Sequence, residues 1–138
     1  MQIARLPDYE TDRVQALADY RLLDTLPDAL FDGITAIAAQ VAGVPISLIS
    51  LVDRDRQWFK SNYGLPGVNE TPRDVAFCSH AILQSQPFIV PDALNDSRFA
   101  DNPLVSADPK IRFYAGIPLI NRRGHGVGTL CVIDRVPR

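Results

Sequence analysis

The sequence predicts an α+β domain built on a mostly antiparallel sheet. Three observations carry that expectation. The elements run α-α-β-β-α-β-loop-β-β without regular βαβ alternation, two pairs of strand-like segments are joined by short turns, and a long polar connection, 92–110, separates them. A connection of that length inside a compact domain points to a binding or lid loop.

Each element has its own justification. The first helix is expected from Glu10 to Asp24, where Val14, Leu17 and Ala18 form a narrow apolar stripe. In the second, Leu30, Ile34, Ile37, Ala38 and Val41 recur at helical spacing, and Gly43 and Pro45 mark the stop. The segment 46-ISLISLVD-53 is apolar on both faces and reads as a central strand. A turn at 53-DRDRQ-57 leads into 57-QWFKSNYG-64, a second strand on which Trp58 and Phe59 point to opposite faces. Thr71, Pro72 and Asp74 have the form of an N-cap, a first-turn proline and a capping acid, predicting a helix through about Gln84. A short strand at 88–91 precedes the polar connection, and strands 112–121 and 126–134 flank the glycine-rich turn 121-NRRGHG-126.

Bulk properties narrow the class. The 138 residues fit one domain, and the net charge of −2 comes with scattered basic residues apart from Arg122-Arg123, which argues against nucleic acid. No apolar run reaches the roughly 20 residues of a membrane span, and nothing resembles a signal peptide. Two cysteines are too few for a secreted disulfide framework, so a soluble cytoplasmic chain is expected.

The densest chemistry lies in 71-TPRDVAFCSHAILQ-84, at Cys78-Ser79-His80. On a helix, positions two apart are rotated by about 200°, so Cys78 and His80 diverge and no Cys–His catalytic pair is expected. Cys78 shares a stripe with Val75 and Ile82 and reads as a small buried hydrophobe. His80 shares another with Phe77 and Gln84, as a packed residue or a pocket wall. Together with His125 and Cys131 these complete the cysteine and histidine inventory, but no paired knuckle spacing exists and zinc is not expected. Cys131 alternates with Thr129 and Ile133 as a core strand residue.

Several runs in one order, 22-LLDTLPDALFD-32, 46-ISLISLVDRDRQWFKS-61, 70-ETPRDVAFCSHAI-82, 98-RFADNPLV-105, 111-IRFYAGIPL-119 and 128-GTLCVIDRVPR-138, resemble a GAF domain. The resemblance is to the type at the N-terminus of bacterial diguanylate cyclases and sensor histidine kinases, and it covers about Leu17 to Arg138. It implies a GAF/PAS-like central antiparallel sheet of five to six strands, with helices on one face and a small-molecule pocket on the other. It also implies a homodimer through the N-terminal helices (residues 1–24, with 27–138 as sensory core) and control of an output cyclase or kinase. The chain holds no GGDEF-like motif and no kinase phosphate-binding segment, so the output is expected on a separate domain or partner, and no catalysis in this chain.

The subclasses of that family narrow the expectation further. No cysteine occurs around Pro109 to Tyr114, where bilin attachment would fall, and no N-K-F-D-E signature of cyclic-nucleotide binders is found. A haem held by His80 is not expected, because nothing marks a second axial or distal residue. Enzymes of this fold that reduce free methionine sulfoxide use more cysteines than this chain has. A Cys78–Cys131 thiol cycle, requiring Cα atoms within about 7 Å, stays as the enzymatic alternative. A dimerisation spacer with a collapsed pocket is the third.

The expected ligand site draws on Arg73, Phe77 and His80 from the helix and Asp92, Arg98, Phe99 and Asn102 from the long connection. Phe113 and Tyr114 from the next strand complete it. Arg98 is suited to gripping an anion bidentately, whereas Asp92 and Asp96 also suit a purely structural role in shaping the loop. The ligand itself is not identified by the sequence.

Overall fold

The computed structural model describes residues 1–138 and shows a single six-stranded antiparallel sheet in the order β3-β2-β1-β6-β5-β4. The strands are β1 (Ile46–Val52), β2 (Arg56–Tyr63), β3 (Glu70–Pro72), β4 (Phe88–Val90), β5 (Phe113–Ile120) and β6 (Gly126–Asp134). As its apolar composition requires, β1 is buried along its whole length and lies centrally, between β2 and β6. Period-two alternation divides β2 as expected. Phe59 joins the main core on one face of the sheet, while Trp58 joins Leu17, Leu51 and Val127 on the other.

Two helices cover that second face, α1 (Glu10–Asp19) and α2 (Ala29–Ala42). The Asp28 carboxylate caps α2 by accepting from the Leu30 amide, and Gly43 ends it at a φ of 67°, a left-handed position that glycine takes without strain. The stripe that announces α2 in the sequence is not the face it buries. Thr35 and Ala39 meet the sheet, and Thr35 Oγ1 lies 2.8 Å from Ser61 Oγ. Leu30, Ile37 and Val41 are 69%, 63% and 84% exposed. Small side chains let the helix lie close to the strands, with Phe31 half-buried beside Lys60, while Leu30, Ile37 and Val41 point outward.

The first helix stops at Asp19, short of the expected Asp24, because Arg21 and Asp24 take positive φ values of 55° and 60°. It docks through Leu17 and a fully buried Arg13. The Arg13 guanidinium donates to the Val52 carbonyl and to Glu10, and Glu10 in turn accepts from Arg73 at 2.7 Å. Burial raises the Glu10 carboxyl, but the Arg73 and Arg13 hydrogen bonds outweigh it and hold it at about 2.

The helix expected over 71–84 is a correction. Residues 70–72 form β3 on the sheet edge, Arg73–Val75 make one 3-10 turn, and only Phe77–Ala81 are α-helical (α3). Thr71 pairs with Gln57 across the β2–β3 ladder, and its hydroxyl accepts from Gln57 Nε2 at 2.6 Å, so it is not free to cap a helix. Ala76, extended at φ −77° and ψ 126°, then interrupts the helical path. The connection 92–110 also carries structure, a 3-10 turn at Ala93–Asn95 and the short helix α4 (Pro103–Ser106). No helix is long and apolar enough to cross a membrane.

Candidate functional site

On the sheet face opposite α1 and α2 lies a cavity of about 420 Å³. Its floor comes from one face of four adjacent strands: Leu48 of β1, Gln57 and Phe59 of β2, Tyr114 of β5, Cys131 and Ile133 of β6. The period of two gathers these side chains, because Gln57 and Phe59, like Cys131 and Ile133, are two residues apart. Phe77 and Cys78 of α3 form one wall, and Leu65, Pro66 and Val68 of the β2–β3 connection form another. Leu104, Asp108 and Ile111 close the third side, and exposed Arg135 stands at the mouth. The lining is largely apolar with a few convergent polar groups, the composition of a small-molecule site.

The polar floor is organised around Cys78. Its Sγ lies 3.2 Å from Tyr114 Oη and 3.0 Å from Thr129 Oγ1. The Tyr114 ring reaches that position by lying across Gly116, where a Cβ would collide with the phenol. Burial raises the Cys78 thiol, yet hydrogen bonds from Cys131, Thr129, Tyr114 and Ser50 outweigh it and bring it down to about 6. Cys131 moves the other way, pushed well up by its hydrogen bond to Cys78 and by burial. Tyr114 is likewise raised, by burial and by the neighbouring thiol charges. No group of three or more His, Cys, Asp or Glu side chains is arranged to hold a metal ion.

Of the sequence-predicted site residues, Phe77 and Tyr114 line this cavity. Phe99 stands behind the wall, stacked on Phe77 with ring centroids 4.1 Å apart. Phe113 opens β5 half-buried and outside the lining. The polar members have protein partners elsewhere. Arg73 grips Glu10 and donates to the Asp53 and Arg54 carbonyls, fastening α1 to the sheet. His80 Nε2 sits 3.1 Å from the Gln2 carbonyl and its ring meets Phe99 edge-on, while burial lowers its pKa. Asp92 caps the Ala93–Asn95 turn, and Asn102 caps α4 while donating to the Val75 carbonyl. Arg98 is taken up by Asp96, at 2.6 Å, and lies 5.1 Å over the Phe88 ring. These residues shape the loop and seat it on the core.

Sequence reasoning placed Cys78 and Cys131 in the core, and both are buried there, but they also face the cavity. It passed over Gln57, Thr71, the Leu65–Val68 segment and Arg135. Alternation along β2 and β6 carries the signal for the strand members. Nothing local marks the Leu65–Val68 segment, which Asn62 draws in by donating to the Leu65 and Val68 carbonyls.

Comparisons with known proteins bear on the family and the fold. A sequence model described as the GAF domain matches residues 26–138. A cyclic di-GMP phosphodiesterase of Pseudomonas aeruginosa is 46% identical over 132 residues, covering 96% of this chain but 22% of that protein. The chain therefore spans less than a quarter of that relative's length. Among solved structures, the GAF domain from an Acinetobacter phosphoenolpyruvate-protein phosphotransferase superposes with a TM-score of 0.61 at 17% identity, covering 96% of this chain and 81% of that one. Free methionine-R-sulfoxide reductase from Neisseria meningitidis, in complex with its substrate, gives 0.62 at 16% identity, covering 99% and 81%. At such identities these structures bear on the fold alone.

Proposed function

We propose, from the premise that this chain belongs to the GAF domain family, that it is a ligand-sensing regulatory domain of a bacterial signalling protein. The cavity of about 420 Å³ carries this reading. A domain serving only as a spacer gains nothing from an unfilled apolar cavity, which forfeits packing that a closed core would keep. The ligand class that fits is a small, mainly apolar molecule with a hydrogen-bond acceptor directed to Arg135 at the mouth, because Gln57 is paired with Ser50 and Thr71 and the Tyr114 hydroxyl with Cys78. That differs from an anion held by Arg98 and Arg73, whose guanidinium groups are already paired.

The output we assign acts on cyclic di-GMP, by analogy with the phosphodiesterase relative, and lies on a separate domain or partner in the cytoplasm. Pairing of two copies is proposed through α2, whose Leu30, Ile34, Ile37 and Val41 follow the four-three-four spacing of a coiled-coil seam. The stripe of α1 is already engaged at Leu17 with Leu51, Trp58 and Val127. Native mass spectrometry of the purified chain tests both parts, with a bound small molecule and a dimer expected. A monomer that takes up no small molecule from a metabolite mixture would contradict them.

One observation favours a second reading, a cysteine-dependent reductase of free methionine sulfoxide: both thiols share the cavity. Turnover of free methionine sulfoxide with a dithiol reductant, lost in Cys78→Ser, would put that reading first.

A further inference from the structure

We propose that Cys78 and Cys131 form a peroxide-reactive thiol pair at the floor of the cavity, taking small apolar hydroperoxides. Four observations converge. These are the only two cysteines in the chain, both are free, and the topology brings them together from α3 and β6. Both face a cavity whose mouth, at Pro66, Asp108 and Arg135, is exposed, so a buried thiol has a route to solvent. The lining selects for an apolar reagent. Two hydroxyls, of Tyr114 and Thr129, lie 3.2 and 3.0 Å from Cys78 Sγ, placed to stabilise a thiolate and to protonate a departing oxygen.

The two thiols have divided roles. The Tyr114 and Thr129 hydroxyls, 3.2 and 3.0 Å from its sulfur, favour the thiolate at Cys78, while the hydrogen bond to Cys78 and burial favour the protonated form of Cys131. The Cys78 thiolate attacks the distal oxygen of R–O–O–H. An S–O bond forms, the O–O bond breaks, and the sulfur is oxidised by two electrons to a sulfenic acid as the peroxide is reduced to R–OH. The sulfenic hydroxyl keeps the peroxide's own hydrogen, and the R–O⁻ leaving group takes one proton from solvent through Tyr114. Cys131 then attacks the sulfenic sulfur, the S–S bond forms, the S–O bond breaks, and water leaves with the Cys131 proton. Because Phe77 stacks on Phe99 next to Cys78, and Cys131 lies in the central β6, the bridge would tie the lid-side helix to the sheet.

This inference rests on the same cavity as the regulatory reading, but not on a resident ligand. The full chain is treated with cumene hydroperoxide and followed by intact-mass and peptide analysis under non-reducing conditions. The folded parent is expected to lose two hydrogens, in one disulfide between Cys78 and Cys131 that dithiothreitol reverses. Cys131→Ser is expected to gain one oxygen at Cys78, trapped by dimedone, and Tyr114→Phe to react severalfold more slowly. Survival of both thiols in the folded parent, while the guanidinium-unfolded chain reacts, would overturn the proposal. So would a Cys131 in Cys78→Ser that oxidises as fast as the parent pair. Native mass spectra without a ligand would undo the regulatory reading alone, since the thiol chemistry is read on the unliganded chain.

Discussion

The Tyr114 hydroxyl lies 3.2 Å from Cys78 Sγ because Gly116, two residues further along β5, leaves its ring room to lie flat on the sheet. One glycine therefore sets the depth of the cavity floor and the partner of its thiol. Gly116→Val should lift the Tyr114 ring into the cavity and cost about 1–3 kcal/mol of stability, the usual range for overpacking. Chemical denaturation measures the cost. An unchanged midpoint would mean that the ring has another resting place.

The Arg98 side chain separates two locations for the ligand. Its guanidinium is spent on Asp96 and on the Phe88 and Phe99 rings, so Arg98→Ala should leave affinity for a cavity ligand within about threefold of the parent. Calorimetric titration decides. A loss of tenfold or more would return the site to the loop around residues 92–108.

Glu10 joins α1 to the sheet through Arg13 and Arg73, and its depressed pKa fixes the sign of a pH effect. A carboxyl held at about 2 against an ordinary 4.5 contributes stability that is fully present above about pH 4.5 and lost as pH falls towards 2. Because the group is partly solvated, screening reduces its worth, and Glu10→Gln should cost about 1–2 kcal/mol at neutral pH. Urea midpoints should show the gap between parent and variant closing below pH 4.5. A gap that stayed constant down to pH 2 would contradict this role.

The exposed stripe of α2 makes a separate prediction. Ile37→Glu, at a position 63% exposed in the isolated chain, should abolish self-association while changing monomer stability by less than about 0.5 kcal/mol. Sedimentation velocity reads the first and thermal unfolding the second. Undiminished association in the variant would exclude α2 as the seam.

Much of this fold was legible because its signals are local. The predominantly apolar β1, the alternation at Trp58 and Phe59, and the Gly43 stop of α2 each report on their own segment. The segment beginning at Thr71 misleads because its decisive partner, Gln57, is fourteen residues away on β2. Sequence patterning cannot weigh that ladder against a local cap. The site was legible in kind more than in membership. Charged loop residues look available in a sequence, but Asp96 and Arg98, two apart, satisfy each other. The side chains that do converge, Gln57, Tyr114, Cys78 and Cys131, come from four separate elements whose register only the folded sheet supplies.

The central claim is that the cavity floored by Tyr114 and Cys131 is where this domain takes a ligand. Protein-observed NMR with a library of small apolar fragments tests it most directly, because it reports both binding and place. The account predicts that bound fragments shift resonances of Phe77, Ile111, Tyr114 and Cys131 together and leave those of Arg98 and Asp92 in place. Fragments that cluster instead on the 92–102 segment, or a full library that perturbs none of the cavity residues, would contradict it.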